Sequence, residues 1–347
     1  MTKEIKPDRY GTHRVVEPKD VLPQAALRLD NDFSKVYDNE VLINVETLNI
    51  DSASFRQINE HAGGDPEKVK SIVMEIVRER GKMQNPVTGS GGMLFGTVEK
   101  IGSNTSKTEN LATGDKIVTL VSLSLTPLYL DKVIEVHPTA QIDVKGKAIL
   151  FESGVCAKLP GDMSTRLVVS VLDVAGAAPQ TARLVKPDQY VLVMGGGKSG
   201  ILSLCVARKV MKKSGKLIAL GRSDESVERL RETGWADEVI QGDATSPLEV
   251  LKALSGVTNT RMADLVINCL NGPKTEMCSI LCVRDGGTVY FFNMATSFTA
   301  ATLGAEGVGM DINMIMGNGY CHDHANYTLN LIRENAQLRR IFERDFI

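Results

Sequence analysis

Val191-Leu192-Val193-Met194-Gly195-Gly196-Gly197-Lys198-Ser199-Gly200 is the stretch whose reading decides the fold. A short apolar run meets Gly195-x-Gly197-x-x-Gly200, and a helix-like segment follows from Ile201 to Met211. Strand, glycine turn and helix N-terminus in that order open a dinucleotide-binding βαβ unit. Gly195 allows the turn, Gly197 lets backbone approach a pyrophosphate, and Gly200 lets the helix pack on the strand. The free N–H groups of the first helical turn, from Lys198 and Ser199 onward, and the positive end of the helix dipole then receive phosphates. Lys216-Leu217-Ile218-Ala219-Leu220 reads as the next strand, roughly 20 residues on, where the fingerprint requires one. Gly197-Lys198-Ser199 also looks like the end of a P-loop. That motif needs a glycine five positions ahead of Gly197, and Leu192 stands there, so the ligand read here is a dinucleotide.

Outward from this stretch, strands and helices alternate. Leu167 to Ala178 reads as a helix limited by Pro179. Strands are expected at 191–194, 216–220, 237–240, 263–269, 287–292 and 311–316. Helices are expected at 199–212, 225–233, 246–254 and 274–283, with a last amphipathic helix from Tyr327 to Arg340. Such alternation argues for a parallel sheet with helices on both faces. Residues before about 165 are β-rich instead. Val41 to Ile50, Gly96 to Gly102 and Lys116 to Leu120 are β-favouring segments between turns such as Gly89-Ser90-Gly91-Gly92. Lys68 to Arg80 has helical spacing at Val69, Ile72, Val73, Ile76 and Val77. The expected division is 1–165 and 166–347.

Composition narrows the function classes. Lys plus Arg total 40 and Asp plus Glu total 42, a net charge of −2, so neither nucleic acid nor an anionic membrane is an expected partner. No apolar run is long enough for a membrane span, and Met1-Thr2-Lys3-Glu4-Ile5-Lys6 lacks the apolar core of a signal peptide, so a cytoplasmic location is expected. Cys156, Cys205, Cys269, Cys278, Cys282 and Cys321 sit in core-like settings and read as reduced structural thiols.

Taken together, Asn49-Ile50-Asp51-Ser52 after a strand, Gly96-Thr97-Val98-Glu99-Lys100-Ile101-Gly102, Gly114-Asp115-Lys116-Ile117-Val118, Thr181-Ala182 ahead of Pro187 and the glycine turn resemble the medium-chain dehydrogenase/reductase superfamily. The resemblance implies an α/β protein: a GroES-like β-rich catalytic domain followed by a Rossmann domain with a doubly wound parallel sheet. It also implies a nicotinamide cofactor. Zinc members hold a catalytic metal at positions that match Asp51, Gly92-Met93 and Ala177, from which no zinc ligand set can be assembled, so a zinc-free member is expected. Tyr10-Gly11-Thr12-His13-Arg14-Val15-Val16-Glu17-Pro18 and Gly317-Asn318-Gly319-Tyr320-Cys321-His322-Asp323-His324 extend the resemblance to the diamino-acid dehydrogenases of bacterial lysine fermentation. These imply oxidative deamination of a diamino acid.

An amine gives up hydride only in its neutral form, and a free ammonium has a pKa of about 10, so a base or a lowered pKa must supply it. A doubly cationic substrate calls for carboxylates, and its own carboxylate calls for a cation. Asp51 stands where zinc relatives place a thiolate; it either serves the pocket or caps the helix starting near Ser52. Glu306 falls between the last two strands, either near the nicotinamide or as an exposed loop acid. Glu152 follows Phe151 at the end of the β-rich domain, as a third acid candidate or a structural residue. His13 and Arg14 lie in an N-terminal loop, where Arg14 can hold the substrate carboxylate or stand as a surface arginine.

The cofactor set is Gly195, Gly197, Lys198, Ser199 and Gly200, with Arg222 and Ser223 after the second strand and Asn293 after the strand at 287–292. An acid at the end of the second strand binds the ribose hydroxyls of NAD. Gly221 stands there instead, followed by Arg222, which suits a 2′-phosphate and favours NADP with NAD possible; Asp224 reaching back is the alternative. The strand at 311–316 reads as a sheet edge, so a homo-oligomer, a dimer, is expected. Two other functions stay open: a zinc-free NADPH-dependent quinone or enoyl reductase, and a nucleotide-binding protein without catalysis.

Overall fold

A computed structural model describes residues 6–293, 295–317 and 319–347. Met1 to Ile5, and Asn318 within the Gly317–His324 stretch, lie outside the described residues. The chain forms two compact units, Met1–Asp173 and Val174–Ile347.

In the first unit β1 (Val15–Glu17) and β2 (Arg28–Leu29) form a small antiparallel ladder. The main sheet comes from β3 (Val41–Ile50), β4 (Gly92–Ile101), β5 (Lys116–Thr119), β6 (Leu128–Val136), β7 (Gln141–Leu150) and β8 (Cys156–Lys158). Its order is β6-β7-β3-β4-β5-β8, antiparallel throughout. Helices α1 (Ser52–His61) and α2 (Pro66–Arg80) follow β3, and α3 (Thr165–Leu172) closes the unit.

The imperfect alternation of β3 has a structural cause. Val41, Ile43 and Val45 face the core, and so do Leu48 and Ile50, two series of opposite parity. The register shifts between Val45 and Thr47 against both neighbouring strands, and such a bulge resets which residues face inward.

The second unit holds α4 (Ala177–Leu184), β9 (Tyr190–Met194), α5 (Lys198–Met211), β10 (Lys216–Gly221), α6 (Asp224–Glu232), β11 (Glu238–Gln241), α7 (Pro247–Thr258), β12 (Ala263–Asn268), α8 (Glu276–Cys282), β13 (Val283–Phe291), α9 (Phe298–Gly307), β14 (Asn313–Met316), α10 (His324–Glu334) and α11 (Ala336–Asp345). The sheet order is β11-β10-β9-β12-β13-β14 and every pair is parallel. Strand order reverses between β9 and β12, which opens a crevice at the carboxyl ends of the strands. The inner strands β9 and β12 are buried along nearly their whole length, as a sheet covered on both faces requires.

Several expectations are corrected. The units divide at 173/174 rather than 165/166, because Arg166 at the start of α3 bonds Gln141, His137 and Asp143 of the first unit. The helix expected over 167–178 is two helices, and Pro179 lies inside the first turn of α4. A proline there displaces no intrahelical bond, so it does not end the helix. The last helix divides at Asn335, whose Oδ1 accepts from Gln337 N at 3.1 Å and Leu338 N at 2.9 Å and so caps α11. The loop expected around Glu306 is α9. All six cysteines are free thiols, five of them buried. Among the described residues no helix is long and apolar enough to cross a membrane.

Candidate active site

In the second unit the glycine turn joins β9 to α5. Gly195 has φ +111°, a left-handed conformation open to glycine. A Cβ on Gly200 would collide with Gly195 O, so strand end and helix start touch backbone to backbone. Gly197 is exposed, with nothing within 4 Å of an added Cβ. It is also the N-cap of α5 and has no side chain with which to cap the helix start. The residues present therefore fit a dinucleotide pyrophosphate.

Gly221 ends β10. A Cβ there would lie 3.0–3.1 Å from Ser226 Oγ, Leu230 Cδ1 and Val227 Cγ2, so an acidic side chain would crowd α6. The Arg222 side chain is 75% exposed, and the nearest carboxylate oxygen, of Asp243, lies 3.9 Å away. Ser223 caps α6 by accepting from Ser226 N at 3.2 Å. Asp224, the rival for the ribose, accepts from Gln241 Nε2 at 2.7 Å. Asn293 is buried; its Nδ2 donates to Asn268 Oδ1 at 3.2 Å and its Oδ1 accepts from Ala295 N and Thr296 Oγ1. Its side chain shapes the turn after β13. Glu306 stands exposed in the last turn of α9 rather than in a loop.

In the first unit Asp51 is the N-cap of α1. Its Oδ1 accepts from Ser54 N at 3.0 Å and its Oδ2 from Ser90 Oγ at 2.6 Å. Ser54 Oγ in turn lies 2.9 Å from Ser90 Oγ and bonds Thr88 Oγ1. The capping expectation for Asp51 is met, and a half-buried carboxylate bonded to the Ser90 hydroxyl, which itself joins those of Ser54 and Thr88, is what the sequence reading missed. The one signal was the Gly89-Ser90-Gly91-Gly92 turn, which was legible only as a turn.

Arg14, His13 and Glu152 are elsewhere. Arg14 is 1% exposed, and Glu40 accepts its Nε and Nη2 at 2.8 and 2.7 Å. Asp32 O accepts from Nη1 and Lys35 O from Nη2, and Asp30 Oδ2 lies 3.5 Å from Nη1. His13 Nε2 lies 2.9 Å from Glu40 Oε1. Burial alone would raise the Glu40 carboxyl, but the hydrogen bonds from Arg14 and His13 and the nearby positive charge hold it down to about 2. Arg14 is thus neither a surface arginine nor free to hold a substrate carboxylate. Glu40 precedes β3 and Glu152 follows β7, whose Leu150 pairs with Val41. Asp51 follows the far end of the ten-residue β3, roughly 30 Å of extended chain away.

The positions that match the zinc ligands make a poor donor set. Asp51 offers a carboxylate. Gly92, with φ +108°, has no room for a Cβ against Asn49 O, Met93 is buried, and Ala177 opens α4 in the second unit. One carboxylate does not fit a tetrahedral zinc. A cluster of Glu135, His137 and Asp143 has metal-like spacing, but Arg166 Nη2 lies 2.9 Å from His137 Nε2 and 3.1 Å from Asp143 Oδ2. A guanidinium fills the place a cation would take. Cavities of about 690 and 680 Å³ in the first unit are both lined by Asn31 and Tyr129, and Asp51 lines neither.

Comparison with known proteins gives a concordant result. A family described as L-erythro-3,5-diaminohexanoate dehydrogenase N-terminal domain matches residues 13–160. A protein of Acetoanaerobium sticklandii named L-erythro-3,5-diaminohexanoate dehydrogenase is 53% identical over 345 residues, covering 99% of this chain and 100% of its own. A protein of the same name from Fusobacterium nucleatum is 53% identical over 341 residues, 98% and 99% of the two chains. Among solved structures, an alcohol dehydrogenase from Thermus sp. ATN1 aligns with a TM-score of 0.56 at 19% identity, over 88% of this chain and 87% of that one. The last likeness concerns the fold alone.

Proposed function

The chain belongs to the L-erythro-3,5-diaminohexanoate dehydrogenase family, and from that premise we propose how its residues carry out the oxidation. The enzyme oxidatively deaminates L-erythro-3,5-diaminohexanoate to 5-amino-3-oxohexanoate and ammonia, with a nicotinamide cofactor. When bound, the nicotinamide supplies the hydride acceptor. We place the reaction in lysine fermentation in the cytoplasm.

The carrying observation is the half-buried Asp51 carboxylate with both oxygens oriented by Ser54 N and Ser90 Oγ. A carboxylate so held has lone pairs left for an ammonium and little freedom to turn away, so ordering it costs little entropy on binding. In this reading Asp51 receives an ammonium of the substrate, and Ser90 and Ser54 keep it aimed. Glu306 and Glu152 take no part, and neither do Arg14 and His13, which are held by Glu40 and by neighbouring groups of the first unit. No step needs zinc: the amine nitrogen lone pair assists hydride departure, and water completes the release of ammonia. Activity that persists through prolonged chelation, with no stoichiometric zinc by elemental analysis, is the expected result; loss of activity restored by zinc would refute it.

For the cofactor, the exposed Arg222 beside Gly221 favours NADP. Asp243 at 3.9 Å is a weak competitor, since exposed pairs contribute only about 0–1 kcal/mol. The edge strand β14 leaves Ile315 and Met316 exposed, and pairing with a second copy of the chain would cover them. Light scattering at micromolar concentration should return a homo-oligomer, and a monomer would contradict this. The whole reading is tested by following nicotinamide reduction and ammonia release together. They should rise one for one with L-erythro-3,5-diaminohexanoate. Turnover of quinones or enones in place of the diamine would overturn it.

A further inference from the structure

The run Leu265-Val266-Ile267 of β12 is apolar and buried, and it ends in a polar residue, Asn268, with no exposed surface. A primary amide has two N–H donors, and its oxygen has two lone pairs. All four sites are used. Nδ2 donates to Thr275 Oγ1 at 3.0 Å and to Ser279 Oγ at 2.8 Å. Oδ1 accepts from Leu270 N at 3.0 Å and from Asn293 Nδ2 at 3.2 Å. The partners come from three segments: the turn after β12, the start of α8, and the turn after β13.

The bonds spread outward from there. Asn293 Oδ1 fixes Ala295 N at 2.9 Å and Thr296 Oγ1 at 3.0 Å. Glu276, buried beside Thr275, accepts from the backbone N of Ser297, the N-cap of α9, at 2.7 Å. On the other side Cys269 N donates to Met194 O at 2.9 Å, at the end of β9. Leu270 Cδ2 lies 3.2 Å from where a Cβ on Gly195 would stand. One buried amide therefore ties the loops after β12 and β13 to each other and, through Cys269 and Leu270, to the glycine turn.

Topology says what those loops are for. A dinucleotide lies across the carboxyl ends of the strands at the switch point, here between β9 and β12. Arg222 follows β10, on one side of that point, and in the proposed reading faces the adenosine half. The loops after β12 and β13 lie on the other side. We propose that Asn268 is a positioning residue for the nicotinamide half of the cofactor, acting through the turns it holds rather than by touching the ring. This rests on reading the glycine turn as a nicotinamide dinucleotide site. Removing the amide leaves Leu270 N and Asn293 Nδ2 without the oxygen that accepts from them and takes the donor from Thr275 Oγ1 and Ser279 Oγ, so the two turns lose their common register.

The test compares the whole cofactor with its adenosine half. Asn268→Leu keeps the approximate size and removes all four bonds; Asn293→Ala removes the link to the second turn together with that turn's own bonds to Ala295 N and Thr296 Oγ1. Calorimetry would measure binding of NADPH and NADH, and of ADP-ribose and its 2′-phosphate, to the wild type and both variants. In Asn268→Leu the intact cofactor should bind about tenfold more weakly, with the matching fragment within about twofold of wild type. Asn293→Ala should give the same pattern at about threefold, which serves if Asn268→Leu does not fold. Equal weakening of cofactor and fragment would show a general loss of structure and overturn the proposal, as would unchanged binding of both. If neither fragment nor cofactor binds the wild type, the dinucleotide reading falls and takes this inference with it. Fragment binding with unaltered cofactor binding in the variants overturns the inference alone.

Discussion

Strand β3 has a carboxylate just beyond each end, Glu40 before Val41 and Asp51 after Ile50, and the two are put to opposite uses. Glu40 has no exposed surface and accepts hydrogen bonds from Arg14, His13 and the backbone of Tyr37. It docks the N-terminal segment onto the sheet. Asp51 is half-buried and bonded by one backbone N–H and one hydroxyl, with Ser54, Thr88 and Ser90 around it. The first site is saturated and dry; the second has capacity left. Arg14 and Arg222 repeat the contrast with the opposite charge, one with its donors consumed and one 75% exposed. Residue type does not separate the saturated charges from the others here. Burial and partners do.

The contrast can be broken first at Glu40. Glu40→Gln leaves the Arg14 guanidinium buried without its counter-charge, and the folded state should lose about 3–5 kcal/mol in urea unfolding. The KM for the diamine, measured on protein that remains folded, should not move. A shift in KM without loss of stability would exchange the roles of the two ends.

The same pair sets an acid limit. The Glu40 carboxyl has an ordinary value of 4.5 and is held at about 2 in the fold. A depressed carboxyl contributes stability that is complete above its unfolded value and is lost as pH falls through the folded one. The contribution, about 3 kcal/mol by that displacement, should therefore fade from near pH 4.5 down towards pH 2, and this limb should flatten in Glu40→Gln. A wild-type stability that is flat over this range would mean that the pair is not formed.

Arg222→Ala sharpens the second half of the contrast. Its exposed guanidinium should contribute nothing measurable to folding, while NADP binding should weaken by about 1.5–3 kcal/mol, roughly ten- to a hundredfold, with NAD little changed. Equal loss for both cofactors would remove Arg222 from the phosphate.

Most of the second unit was legible because its signals are local: a glycine turn, apolar runs and helical spacing repeat along the chain. The failures share a cause, which is that tertiary partners decide them. Arg14 reads as a loop cation until Glu40, 26 residues on, closes over it. Helix α9 carries Gly304 and Gly307, which lower its helix propensity, and it stands because Ser297 caps it while Ala301 and Ala305 are buried. Pro179 looked like a stop, yet it fits the first turn of α4. The bulge in β3 is a property of pairing with two neighbours and leaves only a blurred alternation in sequence. At Asp51 the cap was readable from its own neighbours, whereas Thr88 and Ser90 come from a turn more than 30 residues away.

The most direct test of the account is the ratio of kcat/KM for L-erythro-3,5-diaminohexanoate to that for 3-aminohexanoate, compared between the wild type and Asp51→Asn. Asparagine keeps the size, and its side-chain oxygen can still cap α1, but the charge proposed to receive an ammonium is gone. The ratio should fall about tenfold, some 1.4 kcal/mol, with the change carried by KM for the diamine. An unchanged ratio, with both constants intact, would contradict the account and leave Asp51 as a helix cap alone.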